Sequence, residues 1–191
     1  MNTLIIFAHP NHDGHHGYFL SRLQEQLASR QIEFELLDLY ADSFDPRISK
    51  EELHYIPSHR TGDDVLVYQK KIKAANRLIF VYPTWWQGCP AIMKGFFDRV
   101  FSSHFAFMYK NGLPVGLLKG KKAAVFSAAG GPSWYNKLII REKGLKVVIN
   151  NTLKFCGIKA KGFSLGSMRT LDEQVKVKLD RKVRALLTYL Y

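Results

Sequence analysis

Two hydrophobic patterns take turns along the chain. Short apolar runs at residues 3–8, Arg77–Tyr82, Lys121–Ala128 and Ile158–Leu165 predict buried strands, the second of them stopped by Pro83. Residues 32–39, Ile-Glu-Phe-Glu-Leu-Leu-Asp-Leu, open with strict alternation and predict one more strand. Between the runs, apolar residues recur three or four positions apart. Phe19, Leu20, Leu23 and Leu27 mark one helix, and Val65, Tyr68, Ile72 and Ala75 mark a second over 63–75. A third covers 90–101 with Pro90 near its start, and Val147–Phe155 reads as a fourth, stopped at Gly157. The last helix has Leu171, Val175, Leu179, Val183, Leu186 and Leu190 on one face, behind a Thr170–Glu173 capping box. A long polar loop from Tyr40 to about Thr61 contains the same spacing at Ser49 and Glu52, which predicts one helical turn.

The order is β-α-β-α-β-α-β-α-β-α, which implies an α/β fold with a doubly wound, five-stranded parallel sheet and helices on both faces. No repeat, linker or low-complexity stretch divides the 191 residues, so residues 1–191 are read as one domain. Ligands in such sheets bind beyond the carboxyl ends of the strands, where strand order reverses. That rule selects three loops: 9–18, 83–89 and 128–136.

Composition narrows the class. Hydrophobic residues at 47% and charged residues at 23% describe a chain that folds, and no apolar run reaches membrane-span length. The opening Met1–Ala8 has no basic leader and reads as a strand, not a signal peptide. Cys89 and Cys156 form no CxxC, which argues against a disulfide framework or zinc knuckle and points to a reducing, cytoplasmic setting. The net charge of +12 is lopsided. Residues 1–100 hold 11 Lys+Arg against 12 Asp+Glu, and residues 101–191 hold 17 against 4. A basic half attracts nucleic acid, anionic lipid or a phosphorylated cofactor, or is a solubilising surface. No nucleic-acid-binding signature is present, so no nucleic-acid partner is expected.

The first loop, His9-Pro10-Asn11-His12-Asp13-Gly14-His15-His16-Gly17-Tyr18, leads straight into a helix. Free N–H groups there make an anion site that imidazoles can extend. It has neither GxGxxG nor a P-loop, and a plain polar loop or a metal on His12, His15 and His16 are the alternatives. The second, Pro83-Thr84-Trp85-Trp86-Gln87-Gly88-Cys89-Pro90, sets two tryptophans past a strand. One is expected in the core and the pair suggests a planar ligand, the alternative being that they only close the core. The third has Gly130-Gly131, which lets backbone approach a ligand or makes a plain turn.

Together these residues resemble the flavodoxin-like NAD(P)H:quinone oxidoreductases, over about residues 2–165. The marks are Leu4–Asn11, Asp38-Leu39-Tyr40 with Phe44-Asp45-Pro46, the long stretch Phe80–Phe101, Leu118–Lys122 and Gly130-Gly131. The resemblance implies a flavin, FAD with FMN as the alternative, and NAD(P)H as hydride donor. It implies that His9, His15, His16 and Tyr18 line the phosphate and ribityl side. It places Pro83, Thr84, Trp85, Trp86 and Gln87 along one ring edge, and Gly130, Gly131 and Tyr135 at the other. Gly130, Gly131 and Tyr135 would also carry catalysis by stabilising charge on the ring; no metal is implied. The chain departs from the family pattern at Ala128-Ala129, where Thr-Thr is usual, at Asp13-Gly14, and in having no histidine after Tyr135.

The implied activity is two-electron, ping-pong transfer from NAD(P)H through flavin to a quinone or another planar acceptor. The alternative is a flavin-binding regulatory subunit in peripheral contact with a membrane transport protein. A homodimer is expected, because Phe96, Phe97, Phe101, Phe105 and Phe107 crowd one segment and relatives build their sites at a two-fold interface. Trp86 and Phe105 or Phe107 of a neighbouring subunit would then wall the substrate slot.

Overall fold

In the computed structural model, residues 2–53, 59–167 and 170–191 are described. The element order is β1 (Thr3–Phe7), α1 (His15–Ser29), β2 (Phe34–Asp38), α2 (Asp63–Ala74), β3 (Arg77–Pro83), α3 (Ala91–Val100), β4 (Phe107–Lys110), β5 (Leu113–Gly116), β6 (Lys122–Ala128), α4 (Lys143–Lys146), β7 (Lys159–Leu165) and α5 (Glu173–Leu190). Helical turns of π type cover Tyr135–Ile139 and Val147–Lys154, the latter continuing α4. Five parallel strands form one sheet in the order β2-β1-β3-β6-β7. The three inner strands are buried almost throughout because helices cover both faces, while edge strands β2 and β7 are only partly buried. One face packs against α2, α3 and the 143–154 helix through Ile6, Ile72, Phe80, Phe96 and Leu153. The other packs against α1 and α5 through Ile5, Leu23, Val81, Phe126 and Leu186.

The predicted alternation and five-stranded parallel sheet are observed, with local corrections. The capping box at Thr170–Glu173 does not form. Asp172 caps α5 instead, its carboxylate accepting from the Val175 N–H at 2.8 Å, because the helix starts at Glu173 and Asp172 is the residue flanking it. The β4–β5 hairpin was not anticipated. Its signal is Asn111-Gly112, both at positive φ (54° and 77°), the pair that a two-residue hairpin turn favours. At Ser49–Glu52 the reciprocal bonds do form: the Ser49 N–H donates to Glu52 Oε2 at 2.9 Å and the Glu52 N–H to Ser49 Oγ at 3.3 Å. The reasoning behind the expected dimer is corrected as well. Phe96, Phe97 and Phe101 turn into this chain's own core, and Phe107 packs edge-on against Phe155 at 5.1 Å.

The described part of the loop between β2 and α2 packs on α3 through Phe44 against Phe96 at 5.6 Å and is bonded to it by Arg99. Arg99 is buried, donates to Glu52 through Nε and Nη2 at 2.8–3.1 Å, reaches Asp64 Oδ1 at 3.0 Å, and donates to the Asp45 carbonyl at 2.6 Å. Its guanidinium lies 5.3 Å from the Phe44 ring centroid.

Candidate active site at the strand switch point

β1 has β2 on one side and β3 on the other, so the chain reverses its direction of travel across the sheet between β1 and β3. The 8–14 and 83–90 loops leave the sheet at that point, and the 128–136 loop leaves the next strand. A hydrogen bond from the Thr84 N–H to the Ala128 carbonyl at 2.8 Å ties the last two together.

The first loop ends at Gly14, the N-cap of α1. No side chain caps this helix and its first turn has no acid, so its leading N–H groups are available to an anion. Gly17 in the first turn is required by contact: a Cβ there would lie 1.7 Å from the His12 carbonyl oxygen. His9 and His16 stack at 4.9 Å, and His12 Nε2 meets Asp38 Oδ2 at 2.6 Å. His16 is buried, and its Nε2, like that of His15, has no hydrogen-bond partner. Burial pushes the His16 imidazole down to about 3, with repulsion from His9 and His15 adding to it and the Tyr82 carbonyl opposing it. Among the described residues no three His, Cys, Asp or Glu side chains converge as metal ligands would, His12, His15 and His16 included.

His16 sets a pH dependence. The unfolded chain protonates it near 6.5 and the folded chain only near 3, so between those values the unfolded state holds more protons. The stability of the cofactor-free protein is therefore expected to fall as pH drops through that window, by up to a few kcal/mol. A His16→Gln variant should lose this slope in urea melts across the window; equal slopes in the two proteins would contradict it.

In the second loop, Trp85 and Gly88 exchange backbone hydrogen bonds at 3.0 and 2.9 Å. Trp86 and Gln87 between them both have positive φ, 49° and 63°. This is a primed turn built without glycine or asparagine at its centre, and such strained backbone clusters at functional sites. The turn throws Trp86 fully into solvent and leaves Trp85 half-exposed, 6.2 Å from His9. Neither tryptophan joins the core, contrary to the expectation for one of them. A Thr84–Ser127 hydroxyl hydrogen bond lies beneath the loop.

In the third loop a Cβ added to Gly130 would meet no atom within 4 Å, so the space above it is open. The backbone is pinned from behind, by the Ala129 N–H on the Leu165 carbonyl at 3.0 Å and the Ser167 N–H on the Gly131 carbonyl at 2.8 Å. Thr84, Gln87, Ser127, Ser133, Asn136, Lys137, Glu142 and Ser164 line a cleft at the ends of β3, β6 and β7, beside the first loop rather than including it. Gly144 closes one side, so near Gln87 that a Cβ would lie 1.6 Å from its carbonyl oxygen. Beside it, Trp86, Phe97, Lys143, Val147 and Val148 border an open apolar groove of about 450 Å³.

The structure thus gathers His9, His15, His16, Pro83, Thr84, Trp85, Trp86, Gln87, Gly130 and Gly131 at one end of the sheet. One expected site residue turns its side chain elsewhere. The Tyr18 hydroxyl donates to Asp180 of α5 at 3.2 Å, because one turn along α1 its side chain meets the neighbouring helix. Tyr135, in the third loop, is exposed and packs edge-on against Trp134 at 5.9 Å. Sequence reasoning missed Ser164 and Glu142, whose carboxylate accepts from the Ser164 hydroxyl. Ser164 could have been found from the strand-end rule applied to β7, whereas Glu142 had no local signal.

A family profile described as a flavodoxin-like fold matches residues 1–190. A Haemophilus influenzae protein named as an uncharacterized NAD(P)H oxidoreductase is 36% identical over 92% of this chain and 89% of its own length. The NAD(P)H dehydrogenase [quinone] 1 of Cavia porcellus is 32% identical over 82% of this chain, and the match spans 65% of that longer enzyme. Among solved structures, the NAD(P)H:quinone oxidoreductase from Methanothermobacter marburgensis superposes with a TM-score of 0.86 at 30% identity, covering 100% of this chain and 98% of that one. The chain belongs to the flavodoxin-like NAD(P)H:quinone oxidoreductase family.

Proposed function

We propose that this protein is a flavin-dependent NAD(P)H:quinone oxidoreductase. The observation that carries the reading is the meeting, at the switch point, of an uncapped helix start with two partnerless buried imidazole nitrogens, a strained exposed-tryptophan turn and an open glycine pair. These suit the three parts of a flavin nucleotide: anion, sugar chain and flat ring. When bound, the flavin supplies the two-electron chemistry between nicotinamide and quinone. The α1 amides and His16 hold the phosphate side, and His15 and His9 complete that wall. The Thr84–Gln87 backbone meets one edge of the ring. The Gly130 and Gly131 amides, fixed from behind by the 165–167 backbone, donate toward the edge where negative charge develops, without reorganising. The Tyr135 hydroxyl, on the same loop, is the further donor proposed for that edge.

FAD is the proposed flavin, on the family resemblance. A second copy of the chain is proposed to close the apolar groove beside Trp86 and complete the slot. One slot takes one planar ring at a time, so donor and acceptor alternate. Double-reciprocal plots at several quinone concentrations are expected to be parallel, and NAD(P)H alone should bleach the flavin without air. Intersecting lines, with bleaching only after quinone is added, would overturn the shared slot. Negligible turnover with co-purification of a membrane transport protein would instead favour a regulatory subunit.

A further inference from the structure

Beyond the glycine pair the backbone is left-handed at two successive residues, neither of them glycine. Arg141 and Glu142 have φ of 57° and 51°, a conformation that ordinary side chains rarely adopt. Such a kink persists only where surrounding bonds hold it. Glu142 supplies them. Its N–H donates to the Asn136 carbonyl at 2.9 Å, and its carbonyl accepts from the Lys146 N–H at 2.9 Å. Glu142 is the N-cap of α4, yet its carboxylate does not cap that helix and accepts instead from the Ser164 hydroxyl at the end of β7. Asn136 carries the anchorage onward, its side-chain amide donating to the Gly131 carbonyl at 3.3 Å. A bonded path therefore runs from β7 through Glu142 and Asn136 to the glycine pair. The Ser167 N–H holds the same Gly131 carbonyl from the other side at 2.8 Å. The Glu142 carboxylate also attracts Lys182 of α5, against repulsion from Lys137.

We propose that Glu142 is a positioning residue for the glycine pair, acting through Asn136 and latched by Ser164. The proposal rests on the flavin reading above, in which the Gly130 and Gly131 amides donate toward the ring edge where negative charge develops. Amides stabilise such charge well only when they are aimed before it appears. The latch keeps them aimed by fixing the Gly131 carbonyl, which belongs to the same short stretch of backbone. Misaimed amides weaken the binding of reduced flavin, which carries the charge, more than that of oxidised flavin. The latch therefore sets the ratio of the two affinities. A merely structural role for Glu142 would lower both affinities alike and leave the ratio unchanged.

The test compares Glu142→Gln with Glu142→Ala. Both remove the charge and its attraction to Lys182, and only the first leaves an oxygen for the Ser164 hydroxyl, so their difference reads the latch. Affinities for oxidised and reduced FAD are measured in each. Relative to oxidised FAD, Glu142→Ala is expected to bind reduced FAD about tenfold more weakly than Glu142→Gln does, a two-electron potential lower by about 30 mV. Ser164→Ala should move the ratio in the same direction from the parent, and it carries the comparison if Glu142→Ala does not fold. Equal ratios in the Gln and Ala variants, or an unchanged ratio in Ser164→Ala, would overturn the proposal. Hydrogen exchange at the Ser167 N–H is followed in flavin-free protein, where it should speed up in Glu142→Ala and not in Glu142→Gln. Equal exchange in the two would also overturn the latch. A parent that binds no FAD sinks the flavin reading, and the exchange data then decide the latch alone.

Discussion

Arg99→Ala is expected to destabilise the protein by about 3–5 kcal/mol, with a fall in melting temperature on the order of 10 °C. The reason is what the substitution leaves behind. Glu52 is as buried as Arg99, and without the guanidinium it keeps a charge with no counterion. The Asp45 carbonyl loses its donor and Asp64 its partner, so the loop keeps only its apolar packing on α3. Glu52→Gln in the Arg99→Ala background should recover part of the loss, because the stranded charge is gone. Independent, additive losses in urea melts of the two single variants and the double variant would contradict the network.

Gly17→Ala is expected to cost about 1–3 kcal/mol of stability and to weaken flavin binding by at least about tenfold. The added Cβ would overlap the His12 carbonyl, and the helix cannot yield, so the 9–14 loop must move. That movement separates the histidines from the α1 amides that together form the proposed phosphate wall. Gly14→Ala is the matched control: a Cβ there has nothing within 4 Å, and its φ of −98° suits any residue. Both variants are read by urea melts and by flavin titration. Similar losses in the two would show that the close approach at Gly17 is not what sets the loop.

Much of this was legible in the sequence because the signals are local and repeated. Apolar runs such as Phe80–Tyr82 and spaced leucines such as Leu179 and Leu186 each report the face they bury. The parallel sheet and its switch point then follow from the alternation, and the three loops from the switch point. What the sequence hid depends on competition between neighbours or on distance in the chain. Asp172 displaced Thr170 as a cap because both residues can cap and only geometry ranks them. The outward throw of Trp86 follows from two positive-φ residues where the chain has no glycine, which no propensity suggests. Tyr18 was diverted by Asp180, 162 residues away. Glu142 meets Ser164 only because Gly144 lets its segment lie against Gln87.

The claim that the three loops hold one flavin is tested most directly by titrating flavin-free protein with FAD, alongside Gly130→Ala. The space over Gly130 is free of protein atoms, so this variant should melt like its parent. A methyl there would nevertheless occupy the place proposed for the ring edge. The account predicts saturation at one flavin per chain in the parent and at least about tenfold weaker binding in the variant. No saturable binding in the parent, or equal binding in a folded Gly130→Ala, would contradict it.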